Sequence, residues 1–324
     1  MKATIALSTN KYQSFVAKAL SKISNYFVQN RTYLKADPNF FFMKYLGRFL
    51  WVRSLAYHFA PQSSYQIDTS STIKIFENRI SLDHDINDAV REVRENGYYT
   101  GLRLTPQHID EILKFAFSNP CYGDRKQSDQ LLLPNMDAVK KQNFYRVASY
   151  GLTQENCKAV QEIKHDANVL ALAKGYLGRE PVYTHSDLLW SFPGEMDRDQ
   201  KIAAAQVFHC DINDYRSIKF FFYLTDVEES DGSHSYIEGT HRKRSLIDQL
   251  LGQRIASKAD EKLLAAYDPK KVRTLSGAAG LGFAGDPYCI HRGDAVKRSC
   301  RLLFQVEYSF YNYSSYYNHV EGGV

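Results

Sequence analysis

Cysteine is scarce in this chain, and no spacing pairs the few present. Cys121, Cys157, Cys210, Cys289 and Cys300 are odd in number and form no C-x-x-C or zinc-ribbon pattern, which argues against a secreted disulfide scaffold and for a reduced, cytoplasmic setting. No run of 18 or more uncharged apolar residues occurs, so no obvious transmembrane span is present. Internal repeats are absent as well. A hydrophobic content of 44% over 324 residues excludes general disorder and suffices for a full core.

Most of the chain also lacks an excess of either charge. The net charge of +5 conceals an asymmetry: residues 1–60 carry nine Lys/Arg against the single acid Asp37, a net +8, and the other 264 residues sum to −3. The body of the protein has no nucleic-acid footprint, and the basic character belongs to the N-terminal segment.

Two apolar stretches occupy that segment. Residues 11–28 place Phe15, Val16, Ala19, Leu20, Ile23 and Phe27 on one helical stripe edged by lysines. The aromatic stretch "NFFFMKYLGRFLWVRSLAYHF" follows, and "APQSSYQIDTSST" at 60–72 is polar and turn-rich, as a linker is. The expected division is an extension over 1–72 and a catalytic domain over 73–324. Within the latter, 86–96 reads as a helix stopped by Gly97, "YYTGLRL" as a strand, and Thr105 as the N-cap of a further helix. "NCKAVQEIKHDANVLALAKGYLG" is helix-like, and from 182 onward the chain reads mostly as strands: "VYTHSDLLWSF", "AAQVFHCDI", "SIKFFFYLTDV", "HSYIEGTH", "GLGFAGDPYCIH" and "RLLFQVEYSF". One helical insertion, near 244–267, interrupts them. Helices first and strands after predict an α+β fold with a sandwich or barrel core.

One short motif carries chemistry. In "QVFHCDIN", His209 and Asp211 share a strand face while Cys210 points the other way, and an imidazole beside a carboxylate can grip a metal ion. The pattern alone is weak, since His-x-Asp/Glu occurs four times. His108/Asp110 lies on a helical pattern, where i and i+2 do not face each other, and reads as solvated helix surface. His319/Glu321 falls in the C-terminal tail. His185/Asp187, also strand-like, competes directly with His209/Asp211.

The strand after His209 leads into "KFFFYLTDVEESDGSHSYIEGTHR", and "YCIHRGDAVKRSCRLLFQVEYS" follows. His209-x-Asp211, the bulky strand ending Leu224-x-Asp226, the turn at Asp231-Gly232, Gly239-Thr240-His241, His291, and Arg301 ten residues beyond it together resemble the phytanoyl-CoA dioxygenase family of iron(II)- and 2-oxoglutarate-dependent oxygenases. The resemblance covers about 85–310 and implies a double-stranded β-helix (jelly-roll, cupin-like) core with flanking helices and an N-terminal helical extension. It also implies Fe(II) bound by His209, Asp211 and His291, with O₂ and 2-oxoglutarate as co-substrates. Two histidines and one carboxylate leave three coordination positions open. The far carboxylate of 2-oxoglutarate falls to Arg301, whose fork suits bidentate pairing; a surface Arg301 paired with Asp294, with Arg298 as the anchor, is the alternative. Phe221 stands where the family often has an aromatic beside the co-substrate, and Tyr223 on the same face is a candidate for the substrate end. Arg301, Leu303, Gln305 and Glu307 share one strand face, suited to a cavity, while Leu302, Phe304 and Val306 share the packed face. Cys210 and Cys289 read as packing residues and His241 as structural. The family commonly has a small hydroxyl residue two beyond the distal histidine, whereas this chain has Gly293.

The implied function is hydroxylation of a small-molecule or lipid-linked metabolite with release of succinate and CO₂. Desaturation, epimerisation and ring formation use the same ligands, and a non-catalytic cupin-like binding protein would keep the same shape. Asp211 argues against a halogenase, which needs that carboxylate removed. For residues 1–60 three readings stand: a transit peptide, a helical extension packed on the catalytic core, and peripheral contact with an anionic membrane.

Overall fold

The alternation in "SIKFFFY" and "RLLFQVEYS" becomes two neighbouring strands at the centre of a large antiparallel sheet. The computed structural model describes residues 31, 34–35, 37–59, 79–229, 231–311 and 313. The helix read at 11–28, the linker at 60–72, the boundary near 72 and the His319/Glu321 pair lie outside them. By contact the chain forms two units, Met1–Leu46 with Tyr313–Val324, and Gly47–Asn312. In the smaller unit the helix Pro38–Leu46 is capped by Asp37, whose Oδ1 accepts from the Asn39 and Phe40 amides, and the Phe40 ring lies 5.3 Å from that of Tyr313.

In the larger unit, nine of the described strands form one sheet: β1 (Ser81–Leu82), β2 (Tyr98–Arg103), β3 (Cys121–Gly123), β4 (Gln130–Leu131), β5 (Val147–Ser149), β6 (Val182–Ser191), β7 (Ser217–Tyr223), β10 (Leu281–Gly285) and β12 (Arg301–Ser309). Their order is β1-β2-β10-β7-β12-β6-β5-β3-β4. The strands β8 (His234–Ile237), β9 (Val272–Leu275) and β11 (His291–Gly293) make a second sheet in the order β11-β8-β9. All pairings are antiparallel.

Because strand side chains alternate, each central strand serves two environments. Phe220, Phe222, Leu302, Phe304, Val306, Leu188 and Trp190 project to one face and bury against the helices Ile86–Asn96 and Ala167–Leu177 through Val90, Val93, Leu172 and Tyr176. Full burial of such side chains stabilises the fold by about 1.5–3 kcal/mol each. The opposite face carries Leu189, Phe221, Tyr223, Phe283 and Leu303, which pack with Tyr236 and Leu275 of the second sheet. The candidate residues Phe221, Tyr223 and Arg301 sit on this second face.

Local signals set the helix ends. Asp85 caps Ile86–Asn96 by accepting from Asn87 and Asp88, and Gly97 closes it at φ 95°, a left-handed conformation that only glycine adopts without strain. Thr105 caps Pro106–Ser118, with proline in the first turn. The stretch 158–177 is two helices, Lys158–Lys164 and Ala167–Leu177, because the Asp166 carboxylate caps a new start through the Asn168 and Val169 amides.

Three local expectations need correction. "AAQVFHCDI" is not a strand: Asp197 and Gln200 form a capping box that starts the helix Arg198–Ala203, and His209 then makes only a single bridge, to His291. "GLGFAGDPYCIH" is not continuous either. The Asp286 side chain accepts from the Tyr288 amide at 2.8 Å and its carbonyl from the Cys289 amide at 2.9 Å, a turn that sends β10 and β11 into different sheets. His108 is buried rather than solvated, with Nε2 3.2 Å from Glu162 Oε2, while Asp110 is exposed, as their i,i+2 spacing on a helix requires.

The helix Leu50–Phe59 belongs to the larger unit. Its Arg53 is buried, donating to the Gly47 and Asp214 carbonyls, lying 3.9 Å from Asp286 and stacking 4.0 Å from the Tyr288 ring centroid. It thus ties this helix to the segments that carry Asp214 and Asp286.

Candidate metal centre

Two loops meet at the site. The His209 and His291 backbones exchange hydrogen bonds of 2.9 Å each, and the Asp211 amide donates to the Pro287 carbonyl at 2.8 Å. This lashing brings the ligand atoms of His209, Asp211 and His291 within 4.8 Å of one another, the one group of three His, Cys, Asp or Glu with that geometry among the described residues. His185 and Asp187 do not form a second such group. His185 Nδ1 lies 3.6 Å from Glu307, and Asp187 accepts from Ser149 and Arg125.

The protonation of the two imidazoles follows from their neighbours. Nδ1 of His209 lies 2.8 Å from the Val207 carbonyl, and Nδ1 of His291 lies 2.8 Å from the Cys289 carbonyl. A carbonyl only accepts, so both Nδ1 atoms carry hydrogen, which directs the lone pair of the neutral ring to Nε2, the arrangement that metal-ligating histidines use. Burial pushes His291 down to about 3, which keeps the ring neutral. Burial alone would raise the Asp211 carboxyl, but the Lys219 ammonium, the His209 and His291 rings and the Lys219 hydrogen bond together outweigh it and hold the group below the usual carboxylate range. The neutral His291 ring and the ionised Asp211 carboxylate are in the states a divalent cation requires, and with His209 Nδ1 bound to a carbonyl the donor set fits a metal.

Side chains on the inner face form rows across β6, β12 and β7. Register places Glu307 between His185 and Lys219, Gln305 between Asp187 and Phe221, and Leu303 between Leu189 and Tyr223, with Arg301 beyond them opposite Ser191. Arg301 is buried. Its guanidinium donates to the Gly232 carbonyl and, at 3.1 Å, to Ser191 Oγ, while Nε has no partner. Among the described residues no carboxylate lies within 4.0 Å of it. Asp294 is instead held by Ser233, Ser235 and Arg292, and Arg298 is an exposed partner of Glu228. A buried cation without a counter-ion is costly unless an anion completes the site.

Around Arg301 the walls are aromatic. The Phe221 ring stacks on Phe283 at 4.8 Å and lies 4.8 Å from the His234 ring. Tyr223 is fully buried, its hydroxyl donating to the Leu275 carbonyl at 2.8 Å and accepting from the His234 amide at 3.0 Å. His234 stands directly across the β8–β11 pair from Gly293. A Cβ on Gly293 would lie 3.9 Å from both Arg301 terminal nitrogens, so the position lacking a hydroxyl borders the guanidinium. Burial and the nearby Arg301 keep His234 far below its usual range.

Cys210 faces away from the metal donors, with Sγ 3.2 Å from Arg244. Cys289 packs against Thr240 and the Ile237 carbonyl, and the His241 Nε2 bonds the Arg94 carbonyl. None of the three contributes to the donor group. Sequence reasoning missed three residues of the site: His234, Glu307 as an ionic partner, and Lys219, which is hidden in an apolar run. A lysine opening "KFFFY" in a strand whose alternate positions face the cavity was the available signal.

No family model matches the chain, and no curated protein matches it in sequence. Solved structures of similar shape include AviO1 from Streptomyces viridochromogenes Tue57, at 13% identity over 71% of this chain and 96% of that one, TM-score 0.47. The epimerase SnoN in complex with Fe3+, alpha ketoglutarate and nogalamycin RO aligns at 14% identity over 69% and 82%, TM-score 0.45. EctD from S. alaskensis with bound Fe aligns at 15% identity over 68% and 75%, TM-score 0.45. Likeness at this depth assigns no reaction; the donor set and its surroundings must do so.

Proposed function

We propose that this chain is an iron(II)- and 2-oxoglutarate-dependent oxygenase of the phytanoyl-CoA dioxygenase type, built on a double-stranded β-helix core. The observation that carries the reading is the pairing of a His, His, carboxylate donor set, both Nδ1 atoms held by backbone carbonyls, with a buried guanidinium that has no carboxylate within 4.0 Å among the described residues. Bound together, iron and 2-oxoglutarate supply O₂ activation coupled to loss of CO₂, leaving succinate and an oxidised C–H bond in the substrate. His209 and His291 present Nε2 and Asp211 presents one oxygen to the metal. Arg301 takes the far carboxylate of 2-oxoglutarate, with His234 beside it where Gly293 offers no hydroxyl. Phe221 and Phe283 wall the co-substrate from water, and Tyr223 fixes the His234 strand through its hydroxyl. Hydroxylation of a small-molecule or lipid-linked metabolite is the reaction proposed; desaturation, epimerisation or ring formation would use the same residues.

The test begins with anaerobic titration. One equivalent of Fe(II) should bind, and 2-oxoglutarate should then produce a weak visible band. His209→Ala and His291→Ala should lose both, and His185→Ala should keep both. If His185→Ala loses iron while the other two retain it, the metal binds at His185 and this placement is refuted. Succinate formation across substrate classes, with mass analysis for an added oxygen atom, separates hydroxylase from the other outcomes and from a non-catalytic binder.

A specific surface supports peripheral attachment to an anionic membrane. Trp51, Leu55 and Phe59 are exposed at i, i+4 and i+8 of their helix, and Leu246, Ile247 and Leu250 are exposed on the helix Leu246–Leu251. The two helices are joined by the Leu50 amide donating to Gln249 and Arg48 donating to the Leu250 carbonyl. Residues 1–60 carry a net +8, or +7 without the buried Arg53; with each surface lysine or arginine contributing about 1 kcal/mol near anionic lipid, the complementary occupant is a lipid surface. Among the described residues no helix is long and apolar enough to cross one. Co-sedimentation with anionic but not neutral vesicles at low salt is expected, and Trp51→Ser with Ile247→Ser should weaken it. A protein that stays in the supernatant with anionic vesicles refutes this placement.

A further inference from the structure

The row of Lys219 and Glu307 lies directly behind the metal donors. Lys219 Nζ sits 3.2 Å from Asp211 Oδ2 and 3.2 Å from Glu307 Oε2. Asp211 Oδ1 faces the other way, 3.8 Å from His209 Nε2. The two oxygens of the ligand carboxylate therefore have different partners.

We propose that Lys219 is a positioning residue that confines Asp211 to one ligand oxygen, and so keeps open the coordination position that O₂ needs. The inference rests on the iron and 2-oxoglutarate reading above and names a device within that site. Carboxylates bind metals through one oxygen or two. A facial set of three protein donors leaves three positions; a chelating co-substrate fills two of these, and a bidentate Asp211 would take the last. The ammonium on Oδ2 prevents that.

Glu307 completes the device. It is wholly buried, and its carboxylate is held by Lys219 and by the Asn213 amide, which lies 3.1 Å from each of its oxygens. Asn213 is on the same loop as Asp211, and register fixes Glu307 opposite Lys219. The network keeps a second carboxylate close to the metal donors yet occupied elsewhere. Without Lys219, Asp211 Oδ2 would lose its cation and become available to the metal.

A buried ion pair that merely filled the core would behave differently, and opposite signs separate the two. In Lys219→Met the donor region becomes more negative, so Fe(II) affinity should rise roughly tenfold. The affinity of the iron-loaded protein for 2-oxoglutarate, read from the visible band, should fall roughly tenfold or more as a position is lost. In Glu307→Gln the unopposed ammonium competes with the metal for Asp211, so Fe(II) affinity should fall roughly tenfold, with 2-oxoglutarate affinity of the loaded protein unchanged. Lys219→Arg should restore 2-oxoglutarate binding. The proposal is overturned if Lys219→Met binds 2-oxoglutarate like wild type, or if both neutralising variants weaken iron binding alike, as a structural role predicts. Should Lys219→Met fail to fold, unchanged iron affinity in Glu307→Gln overturns it. Wild-type protein that takes up no iron, or shows no band, refutes the underlying function instead.

Discussion

Replacing Arg301 with Met separates the binding role of this residue from any structural one. The guanidinium is buried, makes two hydrogen bonds, to the Gly232 carbonyl and to Ser191 Oγ, and has no carboxylate within ion-pair distance among the described residues. Burial accordingly lowers its affinity for the proton. If the far carboxylate of 2-oxoglutarate is its missing partner, removing the fork leaves that carboxylate desolvated and unpaired, at a cost of about 2–5 kcal/mol. This corresponds to a rise of roughly 30- to 5,000-fold in the dissociation constant. The stability of the metal-free protein should respond differently. The loss of two charge-assisted hydrogen bonds, about 1.5–3 kcal/mol each, is offset by relief of an uncompensated buried charge, since apolar replacement of buried ionic groups is often neutral or stabilising by about 1–4 kcal/mol. The central values leave a net destabilisation of about 2 kcal/mol. Anaerobic titration with 2-oxoglutarate in the presence of Fe(II) reads the first effect, and urea unfolding of the metal-free variant reads the second. Arg301→Lys should rescue only part of the binding, because an ammonium cannot make the paired contact. Strong destabilisation with unchanged 2-oxoglutarate affinity would show that Arg301 holds β12 to its neighbours and does not bind the co-substrate.

Two further outcomes follow from the same surroundings. His291, pushed down to about 3 by burial, and His234, held far below its usual range by burial, both have folded values below the unfolded value of about 6.5. Their contribution is present above that value and lost as pH falls below it, whereas Asp214, raised by burial to about 7, contributes in the opposite sense by losing stability as pH rises from about 4 to 7. His241, also lowered by burial, adds to His291 and His234, so three imidazoles outweigh the one carboxyl and stability should fall from pH 6 to 5; a urea midpoint that rises over that interval would refute the assignment. At Gly97, φ is 95° and an added Cβ would lie 2.5 Å from Cys289 Sγ and 2.9 Å from His241 Nδ1; Gly97→Ala should destabilise by about 2–4 kcal/mol. Cys289→Ala should recover part of that loss in the double variant, and additive effects by chemical unfolding would refute the contact.

The sequence by itself determined whatever depends on neighbouring residues. Alternation in "SIKFFFY" and "RLLFQVEYS" set which side chains share a face, because strand geometry fixes that locally. Gly97, Thr105 and the polar residues at the helix starts likewise set boundaries through their own backbone and side-chain hydrogen bonds. The His-x-Asp spacing left His209/Asp211 and His185/Asp187 as rival strand pairs, and the wider run of motifs through His291 and Arg301 favoured the first. The tertiary structure decided the rest. The segment around His209 is a loop lashed to the Asp286–His291 turn, and its shape depends on a partner some 80 residues away. His108 turns inward because Glu162 awaits it. Lys219 reads as one cation in an apolar run until strand register sets Glu307 opposite it and the loop sets Asp211 beside it. Periodicity is a property of the chain alone, whereas a buried charge is defined by partners that only the pairing of distant strands brings within reach.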